Sequence, residues 1–174
     1  MIDKEIQKRL FDEFGTPEHV RRHCVAVAEV AVRIGRALNN AGYKLDIDLI
    51  ESAARVHDIA RTEKNHAFAG AEFLIDRGYP YEAILVRAHM NHPFGSVKEI
   101  REQDVLCLAD RVVREDEYVG IEKRVEYLMA KPGMTAEGKT IMQAVMGETM
   151  KYIHDIEDII GITLDELMKK EKEC

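Results

Sequence analysis

An adjacent His57-Asp58 pair ends the apolar-patterned segment ESAARVHDIAR. His23 lies upstream in RRHCVAVAEVA, and His66, His89 and Asp110 follow downstream. Imidazole nitrogens and carboxylate oxygens suit Fe, Mn, Zn, Co or Ni better than a thiolate-seeking metal. A divalent ion with open coordination positions acidifies a bound water and polarises an oxygen on the group under attack. If His23, His57, Asp58, His66, His89 and Asp110 converge on one or two such ions, metal-assisted hydrolysis is the chemistry they suit. Asp110 carries particular weight. In LCLADRVV it has apolar neighbours on both sides, and a carboxylate in that setting is costly to bury unless it is paired or bound to a metal.

These residues must be positioned by helices, because the chain reads as one helix after another. Residues 3–13 form an amphipathic start that Gly15 stops. Thr16-Pro17 opens the next helix, with Thr16 as N-cap. That helix carries Val20, Val27, Val30, Ile34 and Leu38 near the 3.6-residue period, and it ends around Asn39–Gly42. Asp46 or Asp48 caps a helix holding Leu49, Ile50, Ala53, Val56 and His57, and a polar break over residues 61–65 follows it. Adjacent residues on a helix diverge by about 100°, so His57 and Asp58 can share an ion only near the end of that helix. Further helices are expected over residues 66–77, from Pro80 to His89, and over residues 101–117.

The last third reads as a helical pair or triple. Residues 121–130 form one segment, and Pro132-Gly133 interrupts. A long helix over 136–160 follows, with a stripe of Ile141, Val145, Tyr152, Ile156 and Ile159, and Thr163 caps a short helix ahead of a charged, frayed tail. Period-2 patterns are nearly absent. The expectation is an all-α fold, a single domain over residues 1–174 with its core at about 17–117 and a helical extension over about 118–174.

Composition narrows the partners. The net charge of −7 disfavours a nucleic-acid backbone or an anionic membrane as partner, although a cleft can still focus cations on one phosphate. No apolar run is long enough to span a bilayer, and the N-terminus lacks a secretory pattern. Cys24, Cys107 and Cys174 form no CxxC and no zinc-ribbon spacing. They read as reduced thiols, the first two in the core, in a cytoplasmic protein. GxGxxG, GxxxxGK[ST] and GxSxG are all missing. His19 forms HVRRH, with Val20 where a zinc protease needs Glu, and reads as a surface residue. His154, among Asp155, Glu157 and Asp158, reads as solvated.

The order His23, His57-Asp58, Asp110 resembles the HD-domain metal-dependent phosphohydrolases. HCVAVAEVA is similar to that family's first-ligand helix. VHDIAR resembles its HDIGK-like segment, with Ala60 for Gly and Arg61 for Lys. HAFAGAEFL and LCLADRVV resemble the two later helices. The resemblance implies an HD-type helical bundle in which His23, His57, Asp58 and Asp110 hold one ion. It implies that His66 and His89 serve a second ion bridged by Asp58. The pattern is similar to the branch that includes diadenosine tetraphosphate hydrolases, where a His-Thr pair stands at the position of His89-Met90. The implied reaction is hydrolysis of a phosphoester of a nucleotide or related small molecule by metal-activated water. Asp58 then belongs to the catalytic set with Arg61 and Lys64, which would hold the phosphate, and with His92, an acid for the leaving group or a phosphate contact. A metal-containing ligand-sensing module and a di-iron oxygenase of the HD type are the competing expectations. A homodimer packed through the acidic C-terminal helices is compatible with the sequence.

Overall fold

The computed structural model describes residues 1–90 and 92–169 of the 174-residue chain. Cys174 and the charged tail, whose state was anticipated from sequence, lie outside the described residues. Helices dominate. In order they are α1 (Lys4–Phe14), α2 (Glu18–Asn40), α3 (Ile47–Ala54), α4 (His66–Ile75), α5 (Pro80–Ala88) and α6 (Glu102–Val112). A two-stranded antiparallel hairpin, β1 (Val113–Arg114) and β2 (Glu117–Tyr118), comes next. α7 (Ile121–Met129), α8 (Ala136–Ile160) and α9 (Leu164–Lys169) complete the fold. The all-α expectation holds.

α2 is the spine. Its apolar residues recur every three or four positions, so a broad stripe of the helix is buried. Two apolar clusters meet along it. Val20 and Cys24 pack with α1, α4, α5 and the segment Val56–Ala60. Val27, Ile34 and Leu38 pack with α3, α6, α8 and α9. His23 therefore sits where the two clusters join, beside Cys24. Gly35 lets α3 approach α2 closely, since a Cβ there would meet Ile47 Cδ1 at 2.8 Å.

Several local readings are corrected. Thr16 is not a side-chain cap. α2 starts after Pro17, and the buried Thr16 hydroxyl donates to the Ile59 carbonyl at 2.7 Å. That bond ties the α1–α2 junction to the chain around the His-Asp doublet. α3 is capped by Asp46, whose carboxylate accepts from the Leu49 N–H at 2.9 Å. It ends at Ala54, three residues before His57, where the Val56 N–H turns to Ala53 O at 3.2 Å instead of Ser52 O; the His57 ring then donates to the Ala54 carbonyl. Residues 55–64 run as successive tight turns, with Ile59 N–H to Val56 O at 3.0 Å and Arg61 N–H to Asp58 O at 2.8 Å. The helix expected over 101–117 stops at Val112 and gives way to the hairpin.

The long helix falls where its period placed it, but its stripe is shifted. Thr149, Tyr152, Ile153 and Ile156 are buried, while Ile141 is 61% exposed. Met142 and Met146 of the first half of α8 are only partly buried against the core, while its buried residues all lie in the second half. Each large side chain buried there contributes about 1.5–3 kcal/mol. Thr163 caps α9 reciprocally with Glu166: the Glu166 N–H donates to the hydroxyl at 3.1 Å and the Thr163 N–H to the carboxylate at 3.0 Å.

Candidate metal centre

Five chain segments bring the six anticipated ligands together. α2 supplies His23, the turns after α3 supply His57 and Asp58, and the first residue of α4 supplies His66. His89 follows the last residue of α5, and Asp110 lies in the last turn of α6. His57 Nε2 is 3.7 Å from Asp110 Oδ1 and 3.9 Å from Asp58 Oδ2, and His23 Nε2 is 3.1 Å from Asp110 Oδ1. The other Asp58 oxygen, Oδ1, is 3.2 Å from His66 Nε2 and 3.4 Å from His89 Nε2. Asp58 thus turns Oδ2 toward His57 and Oδ1 toward His66 and His89.

Backbone carbonyls fix the tautomers of three rings. His57 Nδ1–H donates to Ala54 O at 2.9 Å, His89 Nδ1–H to Val86 O at 2.6 Å, and His23 Nδ1–H to Glu115 O at 2.7 Å. A carbonyl can only accept, so in the neutral ring the proton stays on Nδ1 and the Nε2 lone pair points at a carboxylate oxygen. Lone pair then faces lone pair. His57 Nε2, His89 Nε2 and Asp58 Oδ1 are buried without any hydrogen-bond partner. Orphaned acceptors of this kind are costly, and a cation among them removes the cost. Imidazoles oriented by a second hydrogen bond at Nδ1 are the usual form of histidine metal ligands. The donor set therefore fits a divalent metal ion. Two triads lie close enough to hold one, His23 with His57 and Asp110, and His57 with Asp58 and His89.

Charge balance agrees. Burial resists ionisation of Asp58, but the adjacent His66 and His89 imidazoles outweigh it and hold the carboxyl far below the ordinary range. Burial likewise resists ionisation of Asp110, and His23 and His57 overcome it. For His57, burial opposes the charged form, while Cys24, Asp110 and Asp58 push its pKa up. The site is rich in negative charge that calls for positive charge. A bound cation would meet that demand in place of a proton and leave the imidazole neutral.

The remaining sequence candidates separate here. Arg61 stands at the mouth, with Nε 3.4 Å from Asp58 Oδ2 and a guanidinium N–H directed at His66 Nε2 at 3.2 Å. Lys64 is exposed in the turn before α4 and does not line the cleft over the ligands. His92 is turned elsewhere: its Nε2 is 2.7 Å from Asp104 Oδ1, its carbonyl accepts from Arg111 at 2.8 Å, and it is not part of the cleft. The cleft measures about 460 Å³. Beyond His23, Asp58 and Arg61, its walls include His19, Arg22, Glu115, Asp116, Arg124, Tyr127 and Lys131. His19 is exposed, as its sequence context indicated, yet it lies on this wall.

Sequence reasoning missed the Glu115 carbonyl. Glu115 and Asp116 form the two-residue turn of the hairpin, and Glu115 has φ 55°, the one non-glycine residue with positive φ among the described residues. Hairpins of this length favour left-handed turn residues, ordinarily Asn or Gly. The unusual conformation aims a carbonyl at His23. Nothing in the side chain of a glutamate signals that role.

The profile of the HD domain matches residues 20–115. The match spans more than half of the chain and includes every metal-ligand candidate; the chain belongs to the HD-domain family. It is also 35% identical to the uncharacterized protein MJ0778 of Methanocaldococcus jannaschii over 72 residues, 40% of this chain and 43% of that protein. The chain thus spans less than half of that relative's length. No solved structure matches. Family members are mostly metal-dependent hydrolases, and the clusters here could hold such an ion. Among the described residues, no helix is long and apolar enough to cross a membrane.

Proposed function

We propose that this protein is a metal-dependent phosphohydrolase that cleaves a phosphoester of a nucleotide or a related small molecule. One observation carries the reading: buried imidazole Nε2 atoms and carboxylate oxygens face each other at 3.1–3.9 Å with their lone pairs converging beneath an open cleft. His23, His57, Asp58 and Asp110 would hold one ion. His66 and His89 would hold a second, with Asp58 between them, once Arg61 releases His66. A divalent cation held there would act as a Lewis acid on the phosphoryl oxygens and acidify the attacking water.

The chain's own residues supply the rest. Carbonyls of Ala54, Val86 and Glu115 keep three rings in the ligand tautomer. Arg61, free to swing from Asp58 at the rim, can grip two phosphoryl oxygens with its planar fork. Lys64, in the adjacent exposed turn, is a secondary candidate for drawing the phosphate in. His92 plays no part in this reading because its ring is held by Asp104.

The test is metal analysis of the purified protein, followed by phosphate release from a panel of nucleotide phosphoesters with added Mn, Co, Fe, Ni or Zn. Turnover that disappears in Asp58→Ala is the expected result. Equal turnover by the wild type and the variant overturns it. Iron-dependent oxygen uptake with no phosphate release would replace hydrolysis with oxygen chemistry.

A further inference from the structure

The cleft has a wall that lies outside the HD profile. Arg124 and Tyr127 sit on α7 and Lys131 just beyond it, all C-terminal to the matched residues 20–115. Arg124 and Tyr127 lie one turn apart on the same face of α7, and Lys131 follows in the turn past its end. Arg124 and Lys131, on either side of Tyr127, therefore line a strip of the cleft and not a single point. The strip shares the cleft with Asp58, His23 and Arg61.

Cations in this cleft differ in how they are engaged. Arg22 is paired with Asp116 at 3.0 Å, and Arg61 lies 3.4 Å from Asp58. Glu115 takes a long hydrogen bond from the Tyr127 hydroxyl at 3.4 Å. Arg124 makes no ion pair with any described residue. Lys131 lies over the Tyr127 ring at 5.0 Å from its centroid and meets no carboxylate among the described residues. In a chain of net charge −7, two cations left without acidic partners beside a metal-ligand set are suited to an anion brought by a ligand.

We propose that Arg124 and Lys131 hold a second phosphoryl group of the substrate while the first sits at the metal-ligand set. The cleft then selects molecules carrying two or more phosphoryl groups over those carrying one. The inference rests on the phosphohydrolase reading for the place of the first phosphoryl group. Arg124 and Lys131 are specificity-determining residues in it, and Tyr127 positions the Lys131 ammonium.

Binding of two probes to Mn(II)-loaded protein tests it. The probes are analogues of AMP and ADP in which methylene replaces the oxygens joining phosphorus to sugar and to phosphorus. They share a nucleoside, differ by one phosphoryl group and resist cleavage. Titration calorimetry should show the diphosphate analogue binding at least about tenfold tighter in the wild type. The double variant Arg124→Ala with Lys131→Ala should abolish that preference and leave the monophosphate analogue and bound manganese unchanged. A control pair, Lys123→Ala with Lys139→Ala, removes equal charge away from the cleft and should leave the preference intact. Equal binding of both probes by the wild type, or an equal fall for both in the double variant, overturns the proposal. So does loss of the preference in the control pair. An intact, Arg124- and Lys131-dependent preference in a protein that releases phosphate from no nucleotide would retire the hydrolase reading and leave the anion-binding wall standing.

Discussion

Asp58 has a divided role, with Oδ2 toward His57 and Arg61 and Oδ1 toward His66 and His89. An amide in its place offers N–H donors to Nε2 lone pairs that now have none. Asp58→Asn should therefore act in opposite directions on two measurements. Metal affinity should fall by at least about 10–100-fold, the loss seen even when groups behind a ligand are removed. The metal-free variant should melt at or above the metal-free wild type, because the amide N–H can pair with an Nε2 lone pair that now has no donor, while the ion pair lost with the exposed Arg61 is weak. Metal content and thermal melts read both, and a metal-free variant that melts well below the wild type would contradict the account of the orphaned atoms. Cys107 makes a separate prediction. Burial pushes its thiol up to about 12, with Gln103 opposing only in part. Only the thiolate reacts with an alkylating reagent, so labelling of the folded protein at pH 8 should be slow. It should increase about tenfold per pH unit without levelling off near the ordinary thiol value of about 8.5. Mass spectrometry of the Cys107 peptide checks this, and a plateau near that ordinary value would show the thiol to be unperturbed.

At the scale of elements, the site depends on junctions more than on helices. The hairpin turn holds Glu115 at φ 55° so that its carbonyl meets His23. A left-handed conformation costs a non-glycine residue about 1–2 kcal/mol. Glu115→Gly keeps the carbonyl and removes that cost, offset in part by the freedom glycine loses on folding. Stability should rise by about 0.5–1 kcal/mol with metal affinity unchanged. Urea unfolding and metal titration would show this, and a large loss of metal affinity would mean that the side chain, not the carbonyl, matters. The Thr16–Ile59 bond secures the opposite side. Thr16→Val preserves shape and leaves a buried carbonyl unpaired, at a cost of about 1–3 kcal/mol. Metal affinity should weaken with it, because Ile59 follows Asp58 directly. Both junctions were opaque in the sequence for the same reason. Helix-period patterns announced α2, α5 and α8 through their apolar spacing and through Pro80. A bond from a side chain to a distant carbonyl leaves no period, and Thr16 before Pro17 reads equally well as a cap.

For the whole molecule, the ligand types were legible because chemistry restricts them. A buried Asp in LCLADRVV needs a partner, and the His57-Asp58 doublet gains its weight from four ordered segments that together resemble one family's pattern. Arg124, Tyr127 and Lys131 were not legible as cleft residues, since charged residues on an amphipathic helix ordinarily face water and only the turn of the chain at the hairpin and Gly120 swings α7 over the site. The convergence of five separate segments on one set of atoms has a thermodynamic consequence. The ligands belong to α2, the turns after α3, α4, the end of α5 and α6, so the site exists only when these are assembled. An ion that binds the folded chain and not the unfolded one stabilises by RT ln(1 + [L]/Kd), about 2.7 kcal/mol at a hundredfold excess over Kd. For a chain of 174 residues each kcal/mol moves the melting temperature by about 2–4 °C. Saturating Mn(II) should therefore raise Tm by about 5–10 °C over protein stripped with a chelator, and His66→Ala, which removes one donor of the second group, should retain part of that rise. Asp110→Asn, which disables the oxygen shared by His23 and His57, should lose most of it. Calorimetric scans across a manganese series settle the point: a Tm that does not respond to metal in the wild type would mean that the facing lone pairs are reconciled by protons on the imidazoles and that no ion belongs there.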